Sequence, residues 1–143
     1  MKNIKGGLVI LALCLVTACG SSGSGGSSGG SSSNSGEDVD VSGRWSGTWS
    51  SSVFVRDGSF SITLNQNGSS FTGSGSISGS DCFFGSSVSG SMSGNRISFG
   101  FASSSSNRVY FSGSASSSSM NGTYKVTSGF CAGDEGTFSA TRG

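Results

Sequence analysis

Apolar and polar residues alternate in short runs along the chain from about residue 44 to its end. Alternation with a period of two is typical of β-strands that bury one face. Turn pairs such as Asp57-Gly58, Asn67-Gly68 and Gly94-Asn95 separate several of the runs and favour hairpins. The pattern predicts eight strands, at 44–55, 59–66, 71–78, 84–92, 96–102, 108–115, 120–127 and 137–142.

The apolar positions of these runs form one face, and the opposite face is chiefly serine and threonine. An open sheet with a long apolar face and free edges tends to aggregate, whereas closure removes the edges. We therefore predict an all-β fold, a single eight-stranded antiparallel up-and-down β-barrel over residues 41–143. The predicted core residues are Trp45, Trp49, Phe60, Ile62, Leu64, Phe71, Ile77, Val88, Met92, Ile97, Phe99, Phe101, Val109, Phe111, Met120, Tyr124, Val126 and Phe138.

Several glycines occupy inward positions of the predicted strands. A glycine weakens a strand unless the backbone must bend or another group approaches closely. A small barrel needs both, because it coils sharply and must accommodate large aromatic side chains. We favour this packing interpretation over a ligand pocket for Gly47, Gly73, Gly75, Gly90, Gly113 and Gly122.

Two cysteines test the predicted topology. Cys82 falls between the third and fourth strands and Cys131 between the seventh and eighth, so an up-and-down barrel places both at the same end. We predict a Cys82–Cys131 disulfide, which an oxidising compartment permits. The alternative is a pair of free thiols.

The first residues have the order of a secretory signal, since Lys2 and Lys5 precede the apolar run 8–16. Nine apolar residues are too few for a membrane-spanning helix, which needs about 20. Serine and glycine make up almost all of residues 20–36, a composition typical of a flexible coil with a reach of about 23 Å. The acidic residues that follow, Glu37, Asp38 and Asp40, are interpreted as a solvated boundary.

The junction Leu15-Val16-Thr17-Ala18-Cys19 resembles the lipobox of bacterial lipoproteins. The resemblance implies a signal peptide at 1–18, diacylglycerol on the thiol of Cys19, an acylated (palmitate-bearing) amino terminus and a linker over 19–40. Several acyl chains on one residue attach a protein stably to a bilayer, whereas one chain binds reversibly. Gly20 stands where an aspartate would retain such proteins at the inner membrane, which implies a lipid-anchored place in the bacterial envelope, at the outer membrane.

Charge and composition exclude several functions. Without the leader, six basic residues stand against seven acidic ones, and no basic stripe suits nucleic acid. Histidine is absent, which removes the Ser-His-Asp triad and the commonest zinc ligand. Adjacent acids such as Asp134 and Glu135 are usually solvated turn residues, so we expect neither catalysis by paired carboxylates with Asp81 nor a metal site or cofactor.

The motif "SGRWSGTW", residues 42–49, is similar to the first strand of the calycin group, which includes lipocalins, fatty-acid-binding proteins and avidins. The resemblance implies a barrel whose Trp45 lies at the closed end, covered by Arg142. The last strand, "GTFSATR", looks like the closing strand of avidins. Gly136 stands where that strand would offer an aspartate, and Trp45 and Trp49 are the only tryptophans, so biotin binding is not implied.

Two classes of function stay open on the sequence. The first is a membrane-anchored envelope lipoprotein whose barrel is a non-enzymatic interaction or structural module for an envelope protein; hydrolase inhibition and weak carbohydrate contact are variants of it. The second is a calycin-like binder of a small apolar ligand. The predicted contact residues at the end that carries the cysteines are Phe54, Arg56, Asp57, Asp81, Phe83, Phe130, Asp134 and Glu135.

Overall fold

The structure, a computed structural model, describes residues 36–102 and 107–143. The predicted signal peptide, the predicted acylation site Cys19 and most of the predicted linker lie outside the described residues. Within them no helix is long and apolar enough to cross a bilayer. The strands are β1 (Gly43–Ser51), β2 (Asp57–Asn67), β3 (Ser70–Ser78), β4 (Ser87–Ser93), β5 (Arg96–Ala102), β6 (Arg108–Ala115), β7 (Ser119–Ser128) and β8 (Glu135–Arg142).

The eight strands form a closed barrel in sequence order, and every neighbouring pair is antiparallel. β1 closes the barrel against β8, in a register that runs from Trp45 opposite Arg142 to Ser51 opposite Gly136. The predicted up-and-down barrel is therefore confirmed. We call the end with the β1–β2, β3–β4, β5–β6 and β7–β8 connections the top, and its loops the rim.

Two predicted strands are too long at the rim. β1 ends at Ser51 rather than at residue 55, and Val55 has a φ of 52°, a left-handed conformation that no strand continues and that β-branched residues rarely adopt. β4 begins at Ser87 rather than at residue 84, which leaves Phe84 in the β3–β4 loop. Apolar loop residues were thus mistaken for strand positions.

Side chains fill the barrel interior. The Phe99 and Phe111 rings stack with centroids 4.7 Å apart, and Phe138 meets Phe111 edge-on at 5.3 Å. The space left under the top of the barrel is about 10 Å³, no more than one water needs. A Cβ on Gly47 would stand 2.7 Å from Phe60 Cζ, which supports the packing interpretation of that glycine.

The bottom of the barrel is closed by the chain that leads into β1. Trp45 is fully buried, and its indole nitrogen donates a hydrogen bond to the Val41 carbonyl at 2.8 Å. Just before it, the Val39 amide donates to the Gly94 carbonyl at 2.9 Å, and the Gly94 amide donates to Asp38 Oδ1 at 2.6 Å. Gly94 belongs to the β4–β5 turn, so the chain reaches the barrel at the bottom, the end opposite the rim.

Candidate functional site

A disulfide crosses the top of the barrel. Cys82 and Cys131 are bonded, with their Cα atoms 6.0 Å apart, which confirms the predicted pair. The bond joins the β3–β4 and β7–β8 loops, which lie on opposite sides of an eight-stranded ring. Phe83, beside the first cysteine, is only 6% exposed and packs into the core. Its predicted role as a contact residue is therefore wrong, because its side chain fills the top of the interior.

Exposed apolar side chains are concentrated on the rim. The described residues include six large hydrophobic side chains that are exposed, and five of these lie in rim loops; the sixth, Tyr110, is on the wall in β6. Val55 and Phe130 are the most open, at 92% and 96% exposure. We call this surface the apolar rim; it comprises Val53, Phe54, Val55, Phe84 and Phe130.

A cavity of about 250 Å³ opens between the rim loops. Most of its lining is apolar, with exposed Phe54 and Phe130 beside the buried Trp49 and the disulfide. Its polar members are Ser51, Ser80, Arg56, Asp81 and Asp134. We call it the rim cavity; it brings together several of the predicted contact residues from three loops.

A buried carboxylate lies in the lining of the rim cavity. Asp134 is 5% exposed; its Oδ1 accepts a hydrogen bond from Ser51 Oγ at 2.6 Å, and its Oδ2 accepts one from the Tyr124 hydroxyl at 3.2 Å. Burial is the main cause that raises the pKa of Tyr124 to about 12, so its phenol keeps the proton that it donates.

The orientation of Asp134 follows from strand alternation. Position 134 directly precedes β8 and continues its inward series through Gly136, Phe138 and Ala140. The expectation that Asp134 and Glu135 are both solvated turn residues is therefore wrong for Asp134. Glu135 points outward, where its carboxylate lies 3.8 Å from the ammonium of Lys125.

The sequence analysis missed the hydroxyl partners of Asp134. Ser51 ends the inward series of β1, after Trp45, Gly47 and Trp49, and it is 7% exposed. The alternation of β1 places Ser51 at an inward position, but nothing else in the sequence distinguishes it from the many outward-facing serines.

The remaining predicted charges of the rim are exposed to solvent. Arg56 and Asp81 form an ion pair that links the β1–β2 and β3–β4 loops. Both side chains are more than half exposed, so the pair orients the loops but contributes little stability. Asp57 is exposed at the start of β2, opposite Ser50 of β1.

The described residues hold no cluster of metal ligands, and the comparisons with known proteins found no match. No group of three or more Cys, Asp or Glu residues in 36–102 and 107–143 has a metal-binding arrangement. No protein-family model, curated protein or solved structure matches this chain. Functional inference therefore rests on the geometry of the rim.

Proposed function

We propose that this protein is a membrane-anchored lipoprotein of the bacterial envelope whose barrel is a non-enzymatic interaction module, and that the apolar rim contacts another envelope protein. The observation that carries the proposal is the placement of five exposed apolar side chains at one end of the barrel. Clustered exposed apolar surface is typical of interaction sites on soluble domains.

The filled interior supports contact at the rim over a ligand inside the barrel. The remaining internal space of about 10 Å³ is far below the ~300 Å³ at which small-molecule pockets begin. Phe83 and the Cys82–Cys131 bond also close the top, where a calycin would admit its ligand.

The position of the rim relative to the predicted anchor favours a protein, and not the lipid bilayer, as the partner of the rim. The chain reaches the barrel at the bottom, through the bonds of Asp38 and Val39 to Gly94. β1 has nine residues, and a rise of about 3.3 Å per residue with a tilt of about 40° places the rim roughly 20 Å higher. A tether at the bottom therefore attaches at the end opposite the apolar rim, which leaves the rim free to contact a partner beyond the lipid surface.

The charges of the rim are consistent with this choice. The exposed charges at this end are balanced, with Asp57, Asp81 and Glu135 beside Arg56, Arg108 and Lys125, whereas surfaces that bind anionic lipid have an excess of lysine and arginine.

Site-specific photocrosslinking in the intact envelope tests the proposal. Benzoylphenylalanine replaces Phe84 or Phe130 in the full chain, and the control position is Asn95, which is exposed in the bottom β4–β5 turn. We expect a discrete protein adduct from both rim positions and none from Asn95. Equal adducts from the two ends, or rim adducts with lipid alone, would contradict the proposal.

A further inference from the structure

The rim cavity is lined by an acidic side chain, Asp134, that no cationic side chain of the described residues pairs with. Ion pairs there join Arg56 to Asp81 and Lys125 to Glu135, so Asp134 has no cationic partner. Among the described residues, Arg56 is the one cation in the cavity lining, and its guanidinium is bonded to Asp81. A buried charge is costly unless it is paired.

The hydroxyl groups around Asp134 direct their protons to its carboxylate. Ser51 Oγ accepts the Val53 amide at 3.2 Å and the Phe54 amide at 2.9 Å, which uses both of its lone pairs. Its own proton is therefore donated to Asp134 Oδ1. The Tyr124 phenol donates to Oδ2, so both oxygens act as acceptors. A carboxylate has about four acceptor positions, and two remain for a ligand.

The volume and lining of the rim cavity indicate which chemical group can bind beside the carboxylate of Asp134. A volume of about 250 Å³ is just below the range of small-molecule pockets, about 300–1,000 Å³, and accommodates one long side chain. Phe54, Phe130 and Trp49 provide apolar walls, along which a lysine packs its methylene stem while its ammonium reaches a polar group.

We propose that the rim cavity binds a primary alkylammonium group, supplied by a lysine side chain of the protein partner, with the ammonium bonded to Asp134. This inference rests on the proposed function, because it names the group that the apolar rim surrounds. The ammonium donates to the free acceptor positions of the carboxylate, and a charge-assisted bond of this kind is stronger than a neutral one.

The test uses full-length protein in detergent micelles and two probes of equal size. n-Butylammonium and 1-butanol each have five non-hydrogen atoms, as the lysine side chain does. Binding is followed by the NMR shifts of the Val53 and Phe54 amides, which are bonded to Ser51 Oγ. We expect butylammonium to bind about ten-fold more tightly than butanol, the effect of one charge-assisted hydrogen bond. Equal affinities would overturn the inference.

Two substitutions complete the test. Asp134→Asn keeps the size of the side chain and removes its charge, so the preference for butylammonium should vanish. Glu135→Gln removes a charge from the same rim but outside the cavity lining, and should keep the preference. A preference that persists in Asp134→Asn would overturn the inference. If Asp134→Asn fails to fold, the comparison of the two probes on the unaltered protein still decides.

Crosslinking separates this inference from the proposed function. With benzoylphenylalanine at Phe84, Asp134→Asn should lower the yield of the protein adduct about ten-fold, and Glu135→Gln should not. An undiminished adduct in Asp134→Asn would overturn the lysine inference and leave the rim contact standing. Absence of any protein adduct in the unsubstituted chain would instead refute the rim contact itself.

Discussion

The guanidinium carbon of Arg142 lies 4.9 Å from the centroid of the Trp45 ring, and the two residues are direct partners where β8 pairs with β1. Arg142 also donates a hydrogen bond to the Asp40 carbonyl. The last strand residue thus covers the buried tryptophan of the first strand and contacts the segment that leads into it. The end of β8 and the segment that leads into β1 together close the bottom of the barrel.

This contact predicts coupled losses of stability at the bottom. Trp45→Ala should lower the free energy of unfolding by about 3–5 kcal/mol, the range for emptying a large aromatic from a core. Arg142→Ala should cost about 0.5–2 kcal/mol, from the lost cation–π contact. The losses should be non-additive in the double variant because the side chains touch. Denaturant unfolding of residues 20–143, which lack the predicted lipid attachment site, measures them; strictly additive losses would mean that the contact contributes nothing.

Loss of the disulfide should lower the free energy of unfolding, because the bond closes a long loop of the chain. Cys82 and Cys131 are separated by 49 positions in sequence, and closing a loop of that length stabilises the fold by about 4 kcal/mol through chain entropy. Replacing both cysteines by serine should lower the free energy of unfolding by about this amount while the strand signal in circular dichroism persists. Intact mass of protein taken from the envelope should show no free thiols, and two free thiols would contradict the bond.

Tyr124 predicts a loss of stability at alkaline pH. Its pKa is raised from 10.0 to about 12 in the folded protein, so the folded state holds this proton more tightly than the unfolded chain does. The stabilising effect is complete below pH 10 and is lost as the pH rises towards 12. Free energies of unfolding measured across this interval should fall less steeply in Tyr124→Phe, which cannot titrate there. Equal slopes in the two proteins would mean that the pKa of Tyr124 is the same in the folded and unfolded chains, which would contradict the prediction.

The lipobox resemblance predicts that Cys19 is essential for membrane attachment. Cys19→Ala should abolish labelling by radioactive palmitate and leave the leader uncut, because the thiol that receives the lipid is gone. Cys14→Ala is the matched control, since that cysteine lies within the predicted leader and should not affect labelling. Palmitate that persists in Cys19→Ala would refute the predicted anchor.

The strands could be predicted from the local alternation of apolar and polar residues. The disulfide could be predicted because the order of the strands places both cysteines at one end of the barrel. Inward positions such as Trp49 and Phe138 repeat every second residue, so their burial follows from the period alone. The rim could not be predicted in the same way. Phe84 and Val55 continue an apolar pattern but lie in loops, where the conformation depends on contacts distant in sequence. The burial of Asp134 depends on hydroxyl partners in β1 and β7, and the alternation that turns these residues inward does not indicate that they bond to Asp134.

A paired substitution tests whether the apolar rim is a contact surface. Phe54→Ser with Phe130→Ser removes two aromatic rings that line the rim cavity, and benzoylphenylalanine at Phe84 reports the contact in the intact envelope. Tyr110→Ser is the matched control, because it removes an exposed aromatic side chain from the wall.

Both variants should keep the melting temperature of the unsubstituted protein, since exposed side chains contribute little to folding. The measurement is the yield of the protein adduct from position 84. We predict that the paired substitution lowers this yield at least about ten-fold, as expected for central aromatic contacts, and that Tyr110→Ser leaves it unchanged. An adduct of undiminished yield in the paired variant would contradict the account.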